Sequence, residues 1–124
     1  MKAVFDRDAL LSAFQLTSSV VPARTPKAIL QNVKLNVTKK GAVLKATDLE
    51  SVGISMEVRG VQVEQPGDLL LPTGRVLSIL RECNDQEMKI EGNAEGTNIR
   101  GQFSEFELPG EDPEQYPKIG RAHV

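Results

Sequence analysis

The chain opens with a strand-like segment and then a run of helical periodicity. Lys2 to Phe5 predicts a short strand, and Asp6 stands where its carboxylate can accept from the amides of a first helical turn. Apolar residues then recur at three- to four-residue spacing, at Leu10, Phe14, Thr17 and Val21. This pattern predicts a helix over 7–19, which Pro22 would end.

Period-two alternation follows and predicts strands. Apolar residues alternate with polar ones over 33–37, Lys39-Lys40-Gly41 predicts a hairpin turn, and 42–47 predicts the return strand. A further alternation over 54–58 changes phase after Gly60. A change of phase at a glycine predicts a bulge or bend.

The same order of elements then begins again. Leu69-Leu70-Leu71 predicts a strand, Thr73 is predicted to cap a second helix, and Asn84-Asp85 to end it. The remaining predicted strands begin at Met88 and cover 97–103 and 104–108. Strand–helix–strand–strand–strand thus occurs twice, as a repeat of topology without a repeat of sequence. Two helices packed on one side of antiparallel sheets make an α+β domain.

Composition fits one folded domain. The chain has 124 residues, 40% hydrophobic and 26% charged, which is enough to bury a core without a metal or a disulfide. No apolar run is long enough for a transmembrane helix. The single cysteine, Cys83, indicates a reducing compartment, and we expect a cytoplasmic location. Aromatic residues are only 4%, which argues against a stacking platform for single-stranded nucleic acid.

Charge is distributed unevenly, although the net charge is only −2. Between Val21 and Thr47 there are six basic residues and no acidic one, whereas between Glu82 and Gln115 there are ten acidic and two basic residues. Such a split either separates two surfaces with different partners or leaves two ordinary solvated faces.

Reactive constellations are missing from the sequence. There is no glycine-rich phosphate loop and no paired-cysteine metal site. Cys83 falls on the apolar stripe of a helix, as an inert core thiol does, and the lone His123 stands near the end of the sequence. Asp48 and Glu50 are expected to face solvent. We therefore expect no catalytic residue, no metal and no cofactor, and a binding or structural module.

Several segments in order resemble one family, the first domain of the bacterial sliding clamp, the beta subunit of DNA polymerase III. They are Asp-Arg-Asp-Ala-Leu-Leu (6–11), Arg-Thr-Pro-Lys-Ala-Ile-Leu-Gln-Asn-Val (24–33), Ala-Thr-Asp-Leu-Glu (46–50), Leu71-Pro72, Phe106-x-Leu108 and Tyr116-Pro117. The resemblance covers about residues 1–119. Residues 120–124 match nothing in the family and are either the start of a linker or additions to the natural chain.

The resemblance implies a role in DNA replication. Such clamps are head-to-tail homodimeric rings with three similar domains in each subunit, helices around the hole and sheets at the rim. The ring encircles duplex DNA without reading its sequence and acts as a processivity factor for the polymerase; it is not an enzyme. Polymerase and clamp loader would bind through domains that this chain lacks.

The resemblance also suggests DNA-contacting residues. Arg24 falls on a basic position of the loop that faces the hole, where a guanidinium would contact phosphate. Arg7 and Lys27 are weaker candidates. The family has a basic residue just after the proline that precedes helix two; this chain has Gly74 there, with Arg75 next to it, so Arg75 could serve either DNA or the subunit interface.

The subunit interface is expected at the last strand. Phe106 and Leu108 match the apolar positions of that contact, and Arg100 is retained. The family's neighbouring basic positions are Phe103 and Glu105 here, so the ion pairs of the interface are expected to be rearranged. Alternate residues of a strand point to opposite faces. This alternation predicts that Phe106 and Leu108 are partly exposed, whereas Ile99 and Phe103 fill the core.

Two other readings stay open at this level. One is a free-standing α+β protein-interaction module without a DNA role. The other is a small enzyme that uses Asp48 or Cys83. A coding frame that ends near Val124 would favour the first, and loss of turnover in Cys83→Ala would favour the second.

Overall fold

Two antiparallel sheets and two helices form over residues 1–50 and 52–118, which the computed structural model describes. The expectations for His123 and for the rest of residues 120–124 concern positions outside these ranges. The elements are β1 (Lys2–Asp6), α1 (Arg7–Ser18), β2 (Asn32–Thr38), β3 (Gly41–Thr47), β4 (Gly53–Val58), β5 (Val61–Gln65), β6 (Gly67–Pro72), α2 (Thr73–Glu82), β7 (Glu87–Asn93), β8 (Gly96–Arg100) and β9 (Glu105–Pro109). Two short 3-10 helices cover Ala28–Gln31 and Pro113–Gln115.

The two halves of the chain, from β1 to β4 and from β6 to β9, exchange their first strands. One sheet has the order β5-β1-β7-β8-β9 and the other β4-β3-β2-β6. Strand β1 of the first half therefore pairs with β7 of the second, and β6 of the second half pairs with β2 of the first. The predicted twofold topology is confirmed, and because of the exchange neither half is a separate unit.

One core joins both sheets to both helices. Its largest fully buried side chains include Phe5, Phe14, Leu35, Leu44, Leu80, Met88 and Ile90. Helix α1 packs against α2 and against β3 and β4. The predicted α+β class is confirmed, because the two helices pack on sheets that are antiparallel.

The two helices begin differently. The carboxylate of Asp6 accepts from the Ala9 amide at 3.2 Å, as predicted for the cap of α1. The predicted cap of α2 is wrong: the residue before the helix is Pro72, which gives no side-chain cap, and Thr73 is the first helical residue. The Thr73 hydroxyl donates instead to the Gln31 carbonyl at 2.6 Å, which ties α2 to the start of β2.

The phase change after Gly60 marks the predicted bend, at which the chain changes sheet, and not a bulge. Gly60 has a φ of 73°, which favours glycine, and its carbonyl accepts from the Asp6 amide at 3.2 Å. The residues after it form β5, which pairs with β1 in the five-stranded sheet, whereas β4 belongs to the four-stranded one. The chain crosses between the sheets at this turn.

The prediction for the last hairpin is wrong in the bounds of its strands. Strand β8 ends at Arg100, a turn covers residues 101–104, and Phe103 in that turn is 91% exposed. Ile99 is buried as predicted, but it lies directly opposite Phe106, so these two side chains share a face. Parity failed because the turn separates the two strands, and parity holds only within one strand.

The last described segment returns across the outer face of the four-stranded sheet. Tyr116 is buried there against Leu30 and Leu70, and its hydroxyl accepts from the Thr47 amide at 3.1 Å. Burial raises the pKa of the Tyr116 phenol, and the bond from the Thr47 amide offsets part of that rise. This contact fixes the segment to the edge of the domain where β3 ends.

Candidate nucleic-acid and subunit interfaces

The loop between α1 and β2 presents free basic side chains. Arg24 and Lys27 are both exposed, and neither forms an ion pair within residues 1–50 and 52–118. The Lys27 amide donates to the Thr25 hydroxyl at 3.1 Å, which shapes the loop. Unpaired, solvated cations of this kind can approach phosphates without first giving up a protein partner.

The basic loop lies beside the start of α2. The loop and the first turn of α2 border one depression of about 710 Å³, which Ala23, Ala28, Gly74 and Arg75 help to line. Arg75 is exposed and likewise has no ion-pair partner in the described ranges. The structure therefore brings Arg75 to the same side of the domain as the loop that carries Arg24.

Lys34 and Lys45 do not join this group. They stand opposite each other on β2 and β3 and alternate with core residues, so they lie on the outer face of the four-stranded sheet. The Lys34 ammonium is also 3.8 Å from the Asp68 carboxylate. The basic stretch of the sequence is thus divided between two surfaces.

Arg7 is partly buried and is tied to α2 and the residues after it by hydrogen bonds. Its side chain is 17% exposed. The guanidinium donates to the Asp85 and Leu80 carbonyls, both at 2.8 Å, and to the Asp8 carboxylate at 2.6 Å. These contacts use three of the five guanidinium N–H donors and join α1 to the end of α2, which favours a structural role for Arg7 over contact with DNA.

The strongest candidate interface is a groove between α2 and β9. Its volume is about 740 Å³, and it is lined by Gly74, Arg75, Ser78, Ile79, Glu105, Phe106, Glu107 and Leu108. Strand β9 is the last strand of its sheet, so one side of its backbone has no strand partner among the described residues. A half-covered groove with apolar and charged lining beside an open sheet edge is suited to receive another chain.

The predicted interface residues divide between the two faces of this edge. Phe106 is half-buried and faces the core side, and the expectation of partial exposure is confirmed for it. Leu108 is only 9% exposed and belongs to the core, so the expectation is wrong there. Arg100 contacts the Glu91 carboxylate at 2.6 Å, and Glu105 accepts from the Asn98 side chain at 2.7 Å, both on the outer face of the sheet.

Asp48 and Cys83, the two residues considered for a small enzyme, lie where they support the fold. The Asp48 carboxylate accepts from the amides of Glu50 and Val52, which shapes the turn after β3. Cys83 follows α2 directly and is partly buried against the core. Within the described residues, no cluster of three or more His, Cys, Asp or Glu could hold a metal ion, and no helix is long and apolar enough to cross a membrane.

The complete arrangement defines the class of protein as a sliding-clamp domain. The crystal structure of the DNA polymerase sliding clamp from Bacillus subtilis matches 98% of this chain with a TM-score of 0.89 and 27% identity. The match covers 34% of that chain. A DNA polymerase III beta subunit from Thermotoga maritima shares the fold, with a TM-score of 0.87 at 17% identity.

The chain belongs to the family described as DNA polymerase III beta subunit, N-terminal domain, which it matches over residues 1–120. The beta sliding clamp of Halalkalibacterium halodurans is 30% identical over 129 residues, which is 96% of this chain and 33% of the relative. The chain therefore spans about a third of the length of the curated relatives it matches. The resemblance inferred from the sequence motifs is confirmed.

Proposed function

We propose that this chain is the first of three domains, over residues 1–119, of a ring-shaped processivity clamp that encircles duplex DNA and tethers a replicative polymerase. The ring is a head-to-tail homodimer without catalytic activity of its own, and it acts in the cytoplasm. Polymerase and clamp loader bind through the other domains. Family membership supports this proposal over a free-standing interaction module, because the curated relatives are sliding clamps about three times as long.

The observation that carries the proposal is the open groove between α2 and β9. A ring needs a surface on each subunit that stays open until another subunit covers it. This groove supplies a strand edge without a partner among the described residues and the half-buried Phe106 ring, with Glu105 and Glu107 on its rim. Charged residues along an open edge also disfavour pairing with wrong strands.

DNA contact is assigned to the loop beside α2. Arg24, Lys27 and Arg75 are exposed and unpaired with described acidic residues, so they can act as mobile counter-charges to phosphate. Such contacts fix no base register, which is what sliding requires. Arg7 is not included, because the carbonyls of α2 and its following loop hold its guanidinium.

Retention on circular DNA tests the proposal. The full-length protein is loaded on a nicked circle and its release is followed after the circle is cut. We expect retention on the circle and rapid loss from the linear form, for duplexes of unrelated sequence. Equal loss from both forms, or a sequence preference above about tenfold, equal to roughly 1.4 kcal/mol, contradicts a sliding ring.

A second experiment tests the closure surface with Phe106→Ala. A half-buried anchor should weaken dimerisation of the full-length protein by about 1–2 kcal/mol, while the isolated domain stays folded. Dimer dissociation and domain melting are measured together. If the domain unfolds and the dimer constant among folded molecules is unchanged, Phe106 is a core residue and closure lies elsewhere.

A further inference from the structure

The loop that carries Arg24 is placed by its ends and not by its own backbone. Within residues 22–26 two positions are prolines, and the remaining amides donate no hydrogen bond to described residues. The loop ends in the 3-10 helix Ala28–Gln31, in which Leu30 shares a buried cluster with Tyr116. The position of Arg24 therefore depends on what holds this short helix.

Asn32 holds the short helix through a side-chain amide that is itself held. The residue is 7% exposed, and its amide nitrogen donates to the Ile29 carbonyl at 3.1 Å and to the Glu111 carboxylate at 2.9 Å. These two bonds use both hydrogens of the nitrogen, so the carboxylate fixes the orientation in which the amide meets Ile29. The Thr73 hydroxyl holds the same helix at its last carbonyl, that of Gln31.

Charge alone gives no reason for an acidic residue at this place. Glu111 is exposed and forms no ion pair within the described residues, and it lines the same depression as Arg75. A free carboxylate beside a surface that contacts phosphate lowers the affinity of that surface. The bond that the structure gives this carboxylate is the one to Asn32, 79 positions away along the chain.

We propose that Asn32 and Glu111 are positioning residues for the phosphate contact of Arg24. This inference rests on the proposed function. Glu111 belongs to the segment that follows β9, so the segment that leads out of the domain also fixes the loop that meets DNA. Without the bond, the short helix and the loop before it have more conformations to lose when Arg24 contacts a phosphate, and the contact becomes weaker.

The test compares Glu111→Ala with Glu111→Gln in the full-length protein. Both changes remove the charge, but only glutamine keeps an oxygen that can accept from Asn32. The dissociation constant for a short blunt duplex, which a ring can enter from its end, is measured by fluorescence anisotropy at several salt concentrations. We expect Glu111→Ala to bind roughly threefold more weakly than Glu111→Gln, as for the loss of one part-exposed hydrogen bond, with a shallower salt dependence.

Two comparisons separate positioning from charge and from stability. Glu114→Ala and Glu114→Gln, on the same segment, should bind equally, because the Glu114 side chain has no hydrogen bond or ion pair to described residues. In an Arg24→Ala background the two Glu111 variants should bind within about twofold of each other, because the contact that they position is gone. A difference that persists there would show that Glu111 acts through the fold as a whole, and would overturn the inference.

Equal binding of the two Glu111 variants in the otherwise unchanged protein would also overturn it. The proposed function would then still stand, provided that the wild-type protein is retained on a nicked circle and lost from the linear form. Equal loss of the wild-type protein from both forms would remove the proposed function and this inference together.

Discussion

The corner formed by α1 and β4 is closed, whereas the equivalent corner formed by α2 and β9 is open. Strands β4 and β9 are each the last strand of their half, and each is an edge of its sheet. Helix α1 packs against β4, but α2 and β9 leave a groove between them. Two corners with the same topology therefore differ in the space that they leave for a partner beside the helix.

The two helices show how this difference arises. Helix α1 has 12 residues, a capping carboxylate and the fully buried Phe14, so it covers the sheet beneath it. Helix α2 has 10 residues, lacks a side-chain cap and carries Gly74 and Ser78 along the groove. Small side chains at these two positions leave the space into which Phe106 partly projects.

The largest expected effect contrasts one phenylalanine from each corner. Phe14→Ala should destabilise the domain by about 3–5 kcal/mol, because its ring is fully buried. Phe106→Ala should cost the isolated domain much less, because its ring is half-exposed. Chemical denaturation of the two variants measures both values. Equal losses would show that the second corner is as closed as the first.

A smaller effect on domain stability is expected for Arg7→Met, because Arg7 joins α1 to the end of α2. Arg7→Met keeps much of the packing volume but removes the donors to the Leu80 and Asp85 carbonyls. We expect a loss of about 1–3 kcal/mol of domain stability, because two part-buried carbonyls lose their hydrogen-bond donors. Arg7→Lys is the control, because an ammonium retains the charge without the planar fork and should restore only part of the loss.

A second measurement separates this role of Arg7 from DNA binding. Where Arg7→Met is folded, its retention on circular DNA should equal that of the wild-type protein. Unchanged stability together with lost retention would reverse the assignment and return Arg7 to the DNA surface.

The sequence predicted most elements because the periodicity of apolar residues is local. The strand, helix and cap at the start of the chain, and the hairpin at Gly41, follow from neighbouring residues alone. The family also followed from motifs in order. Errors arose where distant residues decide the outcome: the Thr73 hydroxyl bonds to Gln31, and the Arg7 guanidinium reaches carbonyls more than 70 positions away.

The candidate site was predicted less well than the fold. Parity assigned Phe103 to the core, although the Asp85 carboxylate fixes a turn there and leaves the ring exposed. Gly101 is the available signal, because a Cβ there would come within 2.7 Å of that carboxylate where it stands. Whether Leu108 is buried or free depends on the helix packed over it, which the residues of β9 do not specify.

Tyr116→Phe is expected to cost about 1 kcal/mol, because the Thr47 amide loses its acceptor in a buried position. This prediction tests whether the stability of the four-stranded sheet also depends on the segment around Tyr116 that packs on its outer face. Thermal melting of the isolated domain at neutral pH measures it. No change would show that the packing of the ring on Leu30 and Leu70 suffices.

The pH dependence of the same residue supplies a check. Because burial raises the pKa of the folded phenol, the unfolded chain loses this proton first as the pH rises. The stabilisation is therefore complete below a pH of about 10, the usual pKa of tyrosine, and declines above it. Tyr116→Phe should lack this contribution to the alkaline decline; an unchanged alkaline profile would contradict it.

The smallest expected effect on stability, with a distinct effect on function, is that of Arg24→Ala. Arg24 is exposed and forms no ion pair in the described ranges, so stability should change by less than about 0.5 kcal/mol. Retention of the full-length ring on circular DNA should fall, and the salt dependence should become shallower by about one phosphate contact.

Lys39→Ala is the matched control, because it removes the same charge at the far end of β2, roughly 20 Å of strand away. If both variants lower retention equally, net charge alone controls binding and the loop has no special role. A melting shift of many degrees for Arg24→Ala would instead make it a structural residue. If only Arg24→Ala lowers retention, the first half of the domain contacts DNA while the open corner of the second half closes the ring.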